Sequence, residues 1–319
     1  MKILVAGAGG FIGGHLVKRL LNQGYEVKAA DIKPKGDWWQ QFKKAQNLDK
    51  LDLRYQQNCK KAVKGCSEVF NLACNMGGIG FIENHKTDCM FSVLINCHLL
   101  NEAYKQNVMK YLYTSSACVY PVHLQQDNNV TALKESDAYP ADPEDGYGWE
   151  KLYSERFCQK FSDEYGMTTR IVRLHNVFGE HGSWKGGREK VPAAFCRKIA
   201  SAGPNGKIDI WGDGEQTRSF MYIDDCVEGI MKIMNSVVDF PINLGSEHLI
   251  KINDLATIIE NIAGYKVQRE YILDAPKGVR GRNSDNKLVR KYLGWEPSND
   301  IERGLANTYK WIKEKVDQG

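Results

Sequence analysis

The sequence predicts an α/β fold: a doubly wound parallel sheet interleaved with a smaller C-terminal domain. Three observations carry this expectation. The opening stretch KILVAGAGGFIGGHLVKRLLNQGYEVKAAD runs from a short apolar strand through a glycine turn into an amphipathic helix, then out to a second strand. Strand and helix candidates then alternate: VFNLA at 69–73, a helix over 91–106 (FSVLINCHLLNEAYKQ), KYLYT at 110–114, a helix over 147–166 (YGWEKLYSERFCQKFSDEYG) and TRIVRL at 169–174. Such alternation argues for parallel strands joined by helical crossovers. After about residue 175 the regularity loosens into glycine-rich, basic and aromatic segments with two more strand candidates, KIDIW and PINLG. The expected division gives 1–175 with 208–245 to the sheet domain and 176–207 with 246–319 to a substrate domain.

Composition narrows the class. A chain of 319 residues with 42% apolar content can bury a full core. Its 43 basic and 39 acidic residues are too evenly balanced to argue for a nucleic-acid or membrane partner. Nine cysteines at irregular spacing, with no CxxC pair, read as reduced thiols and favour the cytoplasm over an oxidising compartment. The apolar run Ile3 to Ala8 stops at glycines too soon for a signal peptide and reads as strand one. No apolar run reaches the roughly 18 residues that span a bilayer. Asn129-Val-Thr is a glycosylation sequon in form only, and the seven histidines show no metal-ligand spacing, so no metal is expected.

Gly7, Gly10 and Gly13 form Gly-x-x-Gly-x-x-Gly where strand one meets helix one. Glycine lets the backbone turn tightly and approach a pyrophosphate, whose charge then lies at the helix N-terminus. Asp31 ends strand two, 18 residues after Gly13, where an acid would bind an adenosine ribose 2′-hydroxyl. This context points to a Rossmann-type unit that binds NAD. An acid at 31 repels a 2′-phosphate, favouring NAD over NADP, although Lys33 and Lys35 just beyond work against that preference. Phe11, Ile12 and Asp52 are counted with the same cofactor set.

Tyr147 and Lys151 stand four residues apart in YGWEK, on one face of the first turns of a helix. An ammonium beside the phenol would lower its pKa from about 10. A phenolate so tuned can take a proton from a sugar hydroxyl as hydride leaves for NAD.

With Ser115-Ser116 ending the preceding strand, this pattern resembles the extended short-chain dehydrogenase/reductase family, in which a Ser or Thr, a Tyr and a Lys form the catalytic set. SSACVYP (115–121) is similar to the Ser-Ala-Thr-Val-Tyr-Gly of that family's sugar-nucleotide 4-epimerases, which implies that Ser116 is the catalytic hydroxyl. In its 4,6-dehydratases a proton-moving Glu falls at the position of Cys118. Longer blocks resemble the GDP-mannose 3,5-epimerases across essentially the whole chain: NMGGIGF (75–81), SSACVYP, WKGGREKVPAAFCRK (184–198), WGDGEQTRSF (211–220) and GVRGRNSDN (278–286). The resemblance implies that GDP-mannose is transiently oxidised at C4, epimerised at C5 and C3, and reduced again to GDP-L-galactose, with GDP-L-gulose as the C5-only product.

Inversion needs two acid–base groups, and the resemblance assigns Cys118 and Lys190. It places Gly77, Gly78, Ala117, Asn176, Glu189, Val191, Lys198, Gln216, Thr217, Arg218, Arg280 and Arg282 around the sugar nucleotide, with Ser116, Cys118 and Lys190. Arg and Lys suit the diphosphate as charge-assisted donors. A homodimer through the helices 91–106 and 147–164 is expected by the same resemblance. The chain stops after WIKEKVDQG, short of the longer tail of plant members. A cysteine at 118 and the block around Lys190 argue against the 4,6-dehydratases and 4-epimerases. His175 reads as a packed neighbour of Asn176, seven of the other cysteines as core, and Cys74 is given no role.

Overall fold

The computed structural model describes residues 1–275 and 278–319. It opens with β1 (Lys2–Ala6), α1 (Phe11–Asn22), β2 (Glu26–Ala30) and β3 (Gln46–Leu48). Next come α2 (Gln56–Val63), β4 (Glu68–Asn71), the short helices α3 (Ile79–Asn84) and α4 (Lys86–Met90), and α5 (Ser92–Lys105). β5 (Lys110–Ser116), α6 (Asp145–Tyr165), β6 (Thr168–Leu174), β7 (Val177–Phe178) and α7 (Val191–Ala202) follow. The last part holds β8 (Lys207–Trp211), β9 (Thr217–Arg218), β10 (Met221–Tyr222), α8 (Ile223–Met234), β11 (Ile242–Leu244), β12 (Ile250–Lys251), α9 (Ile252–Ala263), β13 (Gln268–Ile272), β14 (Gly281–Arg282), α10 (Lys287–Leu293) and α11 (Ile301–Asp317).

Seven strands pair in parallel in the order β11-β6-β5-β4-β1-β2-β3. Alternate residues of β1 point to opposite faces, as strand geometry requires. Ile3 and Val5 join one core with Leu16, Val17 and Leu20 of α1 and Ile230 and Ile233 of α8. Leu4 and Ala6 join the other with Ala62 of α2, Leu99 of α5 and Phe161 of α6. A parallel sheet buried on both faces reads as continuous apolar runs, which is why KILVA and VFNLA were legible as strands. α6 and α9 stop at Gly166 and Gly264, both with the positive φ that a left-handed C-cap needs.

The second half departs from the sequence division at one strand. β8, the KIDIW segment, stays out of the large sheet and pairs with β13 instead. Residues 207–211 therefore lie outside the seven-stranded sheet, paired with 268–272. Asp209 and Trp211 are the reason: β8 alternates between buried and partly or fully exposed positions, the pattern of a strand with one wet face. The PINLG strand does join the large sheet, as β11. β9 is flanked by β12 and β14, and this small sheet carries Arg218 and Arg282 in register. The candidate site lies beyond the C-terminal ends of β1, β2, β4, β5 and β6, where open α/β sheets gather ligands.

Candidate active site

The glycine turn is held by close backbone packing. Gly7 has φ +84°, and a Cβ on it would stand 2.9 Å from the Leu72 carbonyl. A Cβ on Gly13 would stand 2.1 Å from the Gly7 carbonyl oxygen, so helix and strand approach here as only glycine permits. Gly10 donates to Gly7 O at 3.0 Å and is the N-cap of α1, whose N-terminus has no side-chain cap and no acid in its first turn, the one that holds Phe11 and Ile12. Such an end suits a pyrophosphate. Asp31 is buried just after β2 and accepts from Gly9 N and Lys33 N, each at 2.9 Å. A carboxylate has about four acceptor sites, so capacity remains for a ribose hydroxyl. The residues present therefore fit NAD. Asp52, counted with this set, follows Leu51, whose N–H donates to Asp31 O at 2.9 Å, and is held bidentately by Arg54, which keeps its carboxyl below the usual range.

Ser116 ends β5, and strand alternation separates it from its neighbour: Ser115 turns inward to Glu155, while Ser116 Oγ accepts from Cys118 N at 3.2 Å and bonds to Tyr147. Tyr147 lies in the first turn of α6, with Lys151 one turn on. Lys151 is 2% exposed; its Nζ donates to Thr114 O at 3.1 Å and stands 3.6 Å from Glu150 Oε2 and 5.6 Å from the centroid of the Tyr147 ring. Burial alone would lower the ammonium, but the Cys74 thiol and the Glu150 carboxylate carry it above its ordinary value. The expected lowering of the Tyr147 phenol is outweighed. Burial, with Cys74, Cys118 and Glu150 adding, holds it well above 10, and the Ser116 hydrogen bond opposes them only in part.

Cys118 stands on a single 3-10 turn, Ala117–Val119, whose entry is pinned by Ser116. Its Sγ lies 3.6 Å from Arg282 Nη1, whose guanidinium also pairs with Glu144. Burial pushes the thiol up, Glu144 adds to that, and Arg282 and Lys190 act against it. Lys190 is the N-cap residue of α7; burial lowers its ammonium, the Cys118 thiol opposes that, and Arg282 adds to the lowering. The two groups are thus near enough to bias each other, one pushed towards a neutral thiol and the other towards a neutral amine.

The remaining expected contacts divide. Gly78 begins α3 against the Arg188–Glu189 backbone, where a Cβ would meet Glu189 O at 2.6 Å; a Cβ on Gly77 would meet the Phe81 side chain. Asn176 has φ 36° and donates through Nδ2 to Ser219 O at 3.1 Å. Glu189 is paired with Arg197 at 3.1 Å, Lys198 with Asp209 at 2.9 Å, and Gln216 donates to Trp211 O. Thr217 bonds Asn128 O, and Val191 is exposed at the start of α7. Arg218 bonds the carbonyls of Thr217 and Val279; burial and Arg282 hold its pKa down at about 10. Arg280 and Arg282, two residues apart, face different ways. Arg280 pairs with Asp213 at 3.0 Å near the surface, whereas Arg282 is 7% exposed and bonds Gln125, Glu144 and Cys118.

Four residues of the site were not singled out by sequence: Cys74, Gln125, Glu144 and Glu150. Cys74, which arrives from the loop after β4, acts on the charges of both Tyr147 and Lys151. Glu144 and Glu150 had a usable signal, since each falls within four residues of Tyr147 in PEDGYGWEK. Gln125 had none.

A sequence model of the NAD dependent epimerase/dehydratase family matches residues 3–245. The chain is 42% identical over 319 residues to GDP-mannose 3,5-epimerase 1 of Oryza sativa subsp. japonica, covering 100% of this chain and 83% of the rice protein. It is 41% identical over the same length to GDP-mannose 3,5-epimerase of Arabidopsis thaliana, of which it covers 84%. Among solved structures, UDP-glucose 4-epimerase of Thermotoga maritima with UDP-glucose superposes with a TM-score of 0.88 at 24% identity, covering 99% of this chain and 100% of that one. That likeness establishes the shared fold.

Proposed function

The chain belongs to the NAD dependent epimerase/dehydratase family, and from that premise we propose that it epimerises GDP-mannose at C5 and C3 to GDP-L-galactose, with GDP-L-gulose as the product of C5 inversion alone. The observation that carries the reading is the 42% identity, over the whole chain, to a GDP-mannose 3,5-epimerase, with Ser116 and Cys118 at the end of β5 and Tyr147 and Lys151 one turn apart on α6. The glycine cradle and Asp31 would hold NAD, which would serve as the reversible hydride acceptor for oxidation at C4. Tyr147 moves the C4 hydroxyl proton, with Ser116 as its hydrogen-bond partner and Lys151 as the buried cation behind it.

A C4 ketone acidifies the hydrogens on C3 and C5. Inverting either carbon requires removal of a proton from one face and its return to the other, and the thiol and the amine take those two parts. Their opposed shifts favour a protonated thiol and a neutral amine, one able to give a proton and the other to take one. Arg218 and Arg280 supply cations for the diphosphate, and Asn176, Gly77 and Gly78 line the hexose side.

Two finer statements belong to the same proposal. A homodimer is supported by the apolar side chains that α4 to α6 leave exposed, among them Phe91, Leu94, Trp149 and Tyr153. A cytoplasmic setting is supported by nine free cysteines. Among the described residues no helix is long and apolar enough to cross a membrane.

Incubation with GDP-mannose in deuterated water, followed by NMR of the sugar, tests the reaction. Deuterium at C3 and C5 with no net NADH is expected. A 4-keto-6-deoxy product, or a sugar without solvent deuterium, would sink it.

A further inference from the structure

Glu144 is the N-cap residue of α6, directly ahead of the turn that carries Tyr147, and it meets Cys118 in two ways. Its backbone N–H donates to the Cys118 carbonyl at 2.9 Å, and its carboxylate shares the Arg282 guanidinium with the Cys118 sulfur. The contact leaves no slack: a Cβ on Gly148, one turn along α6, would stand 2.3 Å from the same Cys118 carbonyl oxygen. Glu144 Oε2 also accepts from Arg282 Nη2 at 2.5 Å, while Nη1 of the same guanidinium reaches the sulfur and Nε reaches Gln125. Arg282 is buried and Glu144 only partly exposed, with side-chain exposures of 8% and 17%.

We propose that Glu144 is a positioning residue for proton transfer at Cys118: its backbone N–H fixes the turn that carries the thiol, and its carboxylate holds Arg282 at the sulfur and sets a negative charge beside it. This rests on Cys118 being an acid–base group, as in the proposed epimerisation. The charged and titratable groups that face the sulfur are Glu144 and Tyr147 from α6, Arg282 from β14, Arg218 from β9 and Lys190 ahead of α7. Of these, Glu144 is the carboxylate. Burial alone would raise its own proton affinity, but the Arg282 charge and hydrogen bond hold it below the ordinary carboxyl range, so it keeps a full negative charge beside the thiol. That charge opposes a thiolate directly and also spends part of the Arg282 field that would favour one. Both effects have the same sign.

The test is the pH dependence of Cys118 alkylation by iodoacetamide in the NAD-bound protein without substrate, read by mass spectrometry at that cysteine. Glu144→Gln is expected to move the alkylation midpoint down by about one pH unit, a roughly tenfold faster reaction at any pH below the midpoint. It should move the acid limb of the solvent-exchange profile with GDP-mannose the same way. Arg282→Gln, which leaves Glu144 uncompensated, should move the alkylation midpoint up, and this second variant decides the matter should the first not fold. Midpoints unmoved in either folded variant would overturn the proposal. Because alkylation needs no sugar, a shifted midpoint with no deuterium exchange in the wild-type protein would count against the GDP-mannose reading while leaving the role of Glu144 standing.

Discussion

At one end of the site, Gly7 to Asp31 build the cofactor cradle from a single βαβ unit, and backbone sterics fix nearly everything about it. At the other end, Cys118, Glu144, Lys190, Arg218 and Arg282 arrive from five separate segments, and what fixes them is a balance of buried charge. The two ends fail differently. Crowding the first moves main chain, whereas removing one member of the second leaves another charge buried without its partner, which is the more damaging kind of loss.

The sharpest way to break that contrast is Cys118→Ala. Solvent deuterium incorporation into GDP-mannose should fall by about 10² to 10⁴, the scale of a lost acid–base group, while NAD affinity measured by calorimetry stays at the wild-type value. A parallel loss of NAD binding would show that the two ends act as one unit. Gly13→Ala probes the other side. Its Cβ would meet a backbone oxygen at 2.1 Å, so helix and turn must part, at a destabilisation of about 1–3 kcal/mol in urea unfolding and with weakened NAD binding. The alkylation midpoint of Cys118 should not move. If it did, strain at the glycine turn would be reaching the thiol along β4 and β5.

The same contrast explains what could be read without coordinates. The cradle was legible because glycine spacing, the strand before it and Asp31 after it lie within one short stretch, and local periodicity reports local structure. The parallel sheet was legible for the same reason, strand by strand. β8 was not, because its place depends on β13, some sixty residues on, and no periodicity in KIDIW states which sheet it will join. At the acid–base end the resemblance named Cys118, Lys190 and Arg282, but the Glu144–Arg282 pair exists only once β14 is folded against the start of α6. Ser115 and Ser116 lie between these extremes: adjacent in sequence, they are separated by strand alternation into a buried partner of Glu155 and a site hydroxyl.

A third prediction concerns pH. His175 sits behind the acid–base end, fully buried, with Nε2 3.0 Å from Asn243 Oδ1. Burial first, then the cations Arg282, Arg173 and Lys190, push its pKa down to about 3, while the Asn243 hydrogen bond opposes them. An unfolded chain takes up this proton near pH 6.5, whereas the native state does so only near 3. Stability present above pH 6.5 is therefore lost as pH falls, by about 2 kcal/mol between pH 6.5 and 5. Urea titrations at those two pH values should show that much difference in the wild type. His175→Gln should show less of it, and an unchanged slope in that variant would remove His175 as the cause.

The smallest effect is expected at Arg280, and it is informative for being small. Arg280 precedes β14 and Arg282 closes it, and their side chains take different partners. Arg282 enters the buried cluster; Arg280 reaches Asp213 at 3.0 Å with its side chain about one-third exposed. An ion pair in that setting contributes about 0–1 kcal/mol, so Arg280→Ala should leave the urea midpoint nearly unmoved. Its charge remains available to the diphosphate, and the variant should raise KM for GDP-mannose with kcat little changed, since a phosphate contact made equally in ground and transition states affects binding alone. A fall in kcat with KM unchanged would instead tie Arg280 to the reacting carbons and erase the division between an outer, exchangeable cation and an inner one committed to the thiol.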